Sequence, residues 1–162
     1  MAPRQVTFKG DVAGPECEGL LDLAESLRLG AELKADAGRC WLNALRAVTP
    51  DGPFRYVEGF GVTSLGIPFE HGWLLRSEKD TPPVLIDPTL YCFSLAGFAI
   101  PTRYVPAFVW DPEKCLAQAV EQKHLPLAGK HKKTSLDCQE KVNGVWYDAL
   151  ARCFPKRDKV IY

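Results

Sequence analysis

The sequence predicts an α+β fold in which a helix carrying a cysteine packs on a small antiparallel sheet. Three observations lead there. Apolar residues recur at helical spacing in the first third of the chain and again near its end. Four segments in the middle are rich in aromatic and β-branched residues. Helices and strands are segregated rather than alternating, which is the α+β order.

Length and composition set the bounds. The chain has 162 residues, 46% of them hydrophobic and 25% charged, with zero formal net charge. It is expected to form a single domain over residues 1–162, with enough apolar material for one core. A neutral balance argues against nucleic acid as an obligate partner, because phosphate binding is driven by concentrated positive charge. No apolar run is long enough to span a bilayer, and the first residues, MAPRQVTFKGDVAG, lack a secretory h-region. A cytoplasmic protein is the expectation, with delivery by a non-classical route still open. The six cysteines match no compact disulfide framework, so reduced thiols are expected. Neither a CxxC pair nor a Cys/His ligand spacing occurs, so no metal and no cofactor is expected.

The first helix is read over 15–34, where Leu20, Leu23, Ala24, Leu27 and Ala31 form the apolar stripe. Gly30 weakens its last turn. A second helix, from about Arg39 to Val48, is apolar nearly all round and is ended by the turn signal TPDGP. It should be buried, and Cys40 and Asn43 with it. Strands follow at 55–63, 71–76, 83–89 and 102–110. Residues 112–124 form a helix with Asp111 as N-cap and Pro112 at its first position. A last helix over 136–154 buries Val142, Val145, Trp146, Ala149 and Leu150. The basic run Lys130 to Lys133 is too short for a nucleic-acid face and reads as a solvated loop.

Of three histidines, His124 sits at a helix end and His131 in the basic loop, whereas His71 opens an apolar strand. If HGWLL and VLID form a hairpin with His71 opposite Asp87, Trp73 faces Leu85 and Leu75 faces Pro83. The turn then centres near Lys79. Opposed Cβ atoms lie about 4.5–5.5 Å apart, which suits a carboxylate accepting from an imidazole. A slip of one residue would separate the pair. The face with Trp73 and Leu85 is expected to pack on the helix that begins near Cys40.

Roles follow from the chemistry. Cys40 at a helix start would gain thiolate character from exposed N–H groups and an adjacent imidazolium. His71 would shuttle the proton, and Asp87 would fix its tautomer and charge. The backbone N–H of Cys40 is an oxyanion candidate; Asn43, one turn along, could add a side-chain contact there but more readily satisfies local polar groups. Trp41 and Trp73 would line a pocket that limits water. Glu58 either approaches the site or lies on an exposed strand face. Gly59 and Gly61 leave one face of their strand bare, open to a helix or a substrate backbone.

The order Cys40, His71, Asp87 on helix, strand, strand resembles the transglutaminase-like and papain-like cysteine enzymes. The HGW…IDPT segment carries that resemblance, with 16 residues from His71 to Asp87. The CWLNA…YVEGF…HGW…DPT run also looks like a group of small bacterial and phage proteins of unassigned activity. The likeness covers roughly residues 38–90. No Gln precedes Cys40 as in papain-like peptidases, and the third position is Asp rather than Asn, so the transglutaminase-like version fits better. No EF-hand loop suggests calcium activation. The resemblance implies a thiol-dependent hydrolase acting on an amide or acyl bond of a peptide, protein or small amide. Acyl transfer to an amine is the alternative on the same triad. A binding or inhibitor protein that keeps the fold without turnover is the competing class. Oligomeric state is left open.

Overall fold

A computed structural model describes residues 6–128 and 136–154. The Lys130 to Lys133 run and His131 lie outside the described residues. The described chain is mixed α+β, with a six-stranded sheet and five α-helices. In chain order these are β1 (Asp11–Val12), β2 (Leu20–Leu21), α1 (Leu23–Leu33), α2 (Cys40–Leu45), β3 (Phe54–Val62) and β4 (Pro68–Arg76). Then come β5 (Val84–Ile86), α3 (Leu90–Ala96), β6 (Arg103–Trp110), α4 (Pro112–Gln122) and α5 (Leu136–Arg152). The strand order is β1-β6-β3-β4-β5-β2, antiparallel except for the parallel edge pair β2–β5. The sheet is thus larger than expected and not wholly antiparallel.

The first helix is shorter than its apolar stripe suggests. Pro15–Cys17 is a single 3-10 turn, and Leu20 and Leu21 pair with Val84 and Leu85 as an edge strand. The helix starts only at Leu23, because the Asp22 carboxylate accepts from the Glu25 N–H and caps it. Gly30 has a packing reason to be there: a Cβ would stand 2.3 Å from the Pro88 carbonyl oxygen. Its absence lets α1 lie directly on the chain just after Asp87.

The two faces of the sheet have different covers. Tyr56, Leu74, Ile86 and Trp110 face a core that also contains Ala44 of α2, Cys115 of α4 and Ala149 of α5. Val142, Val145, Trp146 and Leu150 pack against this core as partly buried residues. The opposite face, with Val57, Trp73, Leu75, Leu85 and Val109, packs on Ala13, Cys17 and Leu21 from the N-terminal segment. Hence α2 does not lie on the Trp73 and Leu85 face. It lies on the other, where Gly72 leaves space for it: a Cβ on Gly72 would sit 2.6 Å from Trp41 Cδ1.

The β4–β5 register also departs from expectation. Leu75 opposes Leu85 and Leu74 opposes Ile86, a shift of two residues from the pairing that sets His71 against Asp87. The expected register placed Pro83 in the ladder, yet proline has no N–H to donate. Pairing instead starts at Val84, and the loop turns through Asp80 in the left-handed region, φ 62°. Because side chains alternate with period two, a two-residue shift keeps His71 and Asp87 on one face as diagonal neighbours.

Candidate active site

His71 lies three residues before the first β4–β5 pair at Leu74, so β4 has no strand beside it on that edge. The chain leaving β5 turns there. Asp87 Oδ1 accepts from the Thr89 N–H at 3.1 Å, and the Asp87 N–H donates to Ser26 Oγ of α1 at 2.9 Å. This fixes the carboxylate with its other oxygen, Oδ2, 2.6 Å from His71 Nε2. Both side chains are buried. With Nε2 committed to Asp87, Nδ1 is the nitrogen left for Cys40.

A third group joins them. The Tyr104 hydroxyl donates to Asp87 Oδ2 at 2.8 Å. Tyr104 is on β6, two strands from His71, and the sheet has to be shaped for it to reach. A bulge between Glu58 and Gly59 shifts the β3–β6 register by one residue. Without it Val105, not Tyr104, would oppose Gly61. The bulge therefore turns Tyr104 to the His71 face. The bare face of β3 provides the passage: a Cβ on Gly59 would meet Trp73 Cη2 at 2.9 Å, and one on Gly61 would meet the Phe69 ring at 2.6 Å. Neither a helix nor a substrate fills that face. The aromatic side chains of the neighbouring strands do. Phe69, Trp73, Phe93 and Tyr104 surround the imidazole with ring centroids 5.2–6.2 Å away.

The electrostatics follow from this enclosure. Burial alone disfavours the imidazolium, but the Asp87 charge and hydrogen bond, aided by the nearby Cys40 thiol, outweigh it and raise His71 to about 10. Burial, then the Asp87 charge and hydrogen bond, hold the Tyr104 phenol far above its ordinary range, so it stays a donor. Asp87 thus receives three donors: His71 Nε2, Tyr104 Oη and the Thr89 N–H.

Cys40 is the first residue of α2 and is half-buried. The helix has six residues rather than ten, so its dipole is small. Asn43 holds this start in place. Its Oδ1 accepts from the Asp36 N–H, and its Nδ2 donates to the Asp36 carbonyl and to Thr89 Oγ1. Both amide hydrogens are thereby used, which leaves Asn43 without one to offer an oxyanion. It ties the Cys40 loop to the Asp87 turn instead. Trp41 rests on Gly72, beside His71, and sets the approach of α2 to β4.

Glu58 matches neither sequence expectation. It is fully buried, on the Gly72 face, where its carboxylate accepts from the Leu127 and Ala128 N–H groups and the Tyr56 hydroxyl. Burial raises it to about 8 even though these donors oppose the shift. Its work is to fasten the 127–128 segment to the sheet. Trp73 is buried as a wall of the His71 pocket, and its Nε1–H has no acceptor among the described residues.

Tyr104, Thr89 and Ser26 are the site residues that sequence reasoning missed. Only the proline in TRYVPAFVW hints at a bulge, and its effect on Tyr104 depends on a register the sequence does not display. The other four described thiols are all pushed up, Cys17, Cys92 and Cys153 by burial and Cys115 by burial to about 12. Among the described residues no helix is long and apolar enough to cross a membrane, and no group of three His, Cys, Asp or Glu is placed to hold a metal. Comparison with protein-family models, with curated proteins and with solved structures finds no match.

Proposed function

We propose that the protein is a thiol-dependent hydrolase of amide or acyl bonds, working through Cys40, His71 and Asp87 on a transglutaminase-like, papain-like core. The observation that carries the reading is the buried His71–Asp87 pair at 2.6 Å, with the half-buried Cys40 on the remaining side of the imidazole. A structural histidine does not need a buried carboxylate with three donors and a thiol beside it.

In this reading His71 takes the proton of the Cys40 thiol. The Cys40 sulfur attacks the carbonyl carbon, a C–S bond forms, and the carbonyl oxygen becomes an oxyanion facing the Cys40 N–H. Collapse breaks the bond to the leaving amine, which departs with the proton from His71 Nδ1. The thioester that remains is attacked by water, whose proton returns to His71. The C–S bond then breaks and releases the acid. Asp87 keeps the imidazole oriented and its charge compensated throughout, while Tyr104 and Thr89 hold Asp87. Peptide, protein and small-amide substrates all suit this chemistry.

The test is the order in which the thiols react with iodoacetamide near neutral pH, read by peptide mass spectrometry. Cys40 should be alkylated well before the other five, and much more slowly in a His71→Ala protein. Equal, slow labelling of all six thiols would overturn the proposal and favour a binding protein without turnover.

A further inference from the structure

On the sheet face away from α2 there is a cavity of about 530 Å³. Trp73, Leu85 and Tyr104 are among its apolar walls, and Glu18, Arg103 and Arg152 are its charged lining residues. Cys40, His71 and Asp87 do not line it. Trp73 and Tyr104, which line it, also have ring centroids 6.1 Å from that of His71.

Among the described residues its charge is unbalanced. Arg103 donates to the Arg152 carbonyl, and Arg152 to the Pro106 carbonyl at 2.7 Å. These bonds fix the direction of both side chains but use few of the five N–H donors each guanidinium has. Neither forms an ion pair with a carboxylate among the described residues. The described lining thus carries two guanidinium groups and one carboxylate, Glu18, beside Tyr104 and the buried Trp73. Guanidinium favours planar, bidentate oxyanions, and flat aromatic walls favour flat apolar bodies. The volume is that of a small-ligand site.

We propose that this cavity is a binding site for a small carboxylic acid with a flat apolar body, its carboxylate held by Arg103 and Arg152 and its body against Tyr104, with Trp73 buried behind that wall. Tyr104 both lines the cavity and donates to Asp87, so an occupant touches the group that holds the triad carboxylate. The site goes beyond the proposed thiol chemistry and does not depend on it.

Two-dimensional ¹H–¹⁵N spectra of the full chain, titrated with indole-3-acetate and separately with indole-3-acetamide, test this. The acid should move the Trp73 indole N–H resonance saturably, while the amide, which lacks the charge, should bind about tenfold more weakly. Arg103→Gln and Arg152→Gln should each weaken the acid about tenfold, and Arg103→Lys, which keeps the charge, by less. Cys40→Ala should bind as the native protein does, so failure of the thiol reading leaves this one standing. Equal binding of acid and amide, indifference to both Gln substitutions, or no saturable shift would overturn it.

Discussion

Gly72→Ala is the perturbation that most directly probes how Cys40 is brought to His71. A Cβ at Gly72 would lie 2.6 Å from Trp41 Cδ1 and 3.3 Å from Trp41 Cα. Carbon atoms in ordinary contact are about 3.5–4.0 Å apart, so the indole must retreat by roughly 1 Å. The close Cα means that a change of side-chain rotamer alone does not relieve the contact, and α2 must move with it. Overpacking of this kind costs about 1–3 kcal/mol, which a domain of this size survives folded. A displacement of about 1 Å at a reacting group costs on the order of 100-fold in rate. For simple alkylation the loss is smaller, about tenfold, because the reagent does not need the full alignment of thiol, imidazole and substrate. The assay is the iodoacetamide rate at Cys40 near neutral pH, with the melting temperature measured on the same sample. A folded Gly72→Ala protein that alkylates at the native rate would show that the contact of Trp41 with β4 does not position the thiol.

Three other experiments are informative. Tyr104→Phe leaves Asp87 Oδ2 with one donor fewer and should destabilise by about 1–3 kcal/mol, read by denaturant unfolding, with the helical content unchanged. Glu58→Gln tests the buried carboxyl. Its folded proton affinity is raised, so the native state binds more protons than the unfolded chain between pH 4.5 and about 8, and stability falls as pH rises through that window. Thermal melts should show that decline in the native protein and a flatter profile in Glu58→Gln; parallel profiles would place the titration elsewhere. Finally, His71→Ala and Asp87→Ala should not be additive: the double variant should alkylate at Cys40 about as slowly as His71→Ala alone.

The site was legible as far as side-chain identity and parity carry it. Cys40, His71 and Asp87 were readable because alternation in HGWLL and VLID puts His71 and Asp87 on one face in any register that differs by an even number. The loop length was not readable. Pro83 looks like part of a strand to a reader counting apolar residues, but it cannot donate to a ladder, and the pairing starts at Val84, two residues off the expected register. The face on which α2 rests depends on Gly72, whose missing side chain carries no pattern of its own. Glu58 was misread because a glutamate in a strand normally seeks water. Its partners, Leu127 and Ala128, are about seventy residues away in sequence and become visible only once the chain has folded. Helix α3 went unassigned although Gly97, in the left-handed region at its end, is an ordinary stop signal.

The central claim is that Cys40 forms an acyl-enzyme, and intact-mass analysis after a brief exposure to p-nitrophenyl acetate tests it most directly. A sample quenched in acid should carry one acetyl group, mapped to Cys40 by peptide sequencing and absent from Cys40→Ala and His71→Ala proteins. Added hydroxylamine should take the place of water at the thioester, remove that group and yield acetohydroxamate. Acetylation spread over lysines, or an adduct of equal extent in Cys40→Ala with no hydroxamate from the native protein, would contradict covalent thiol catalysis.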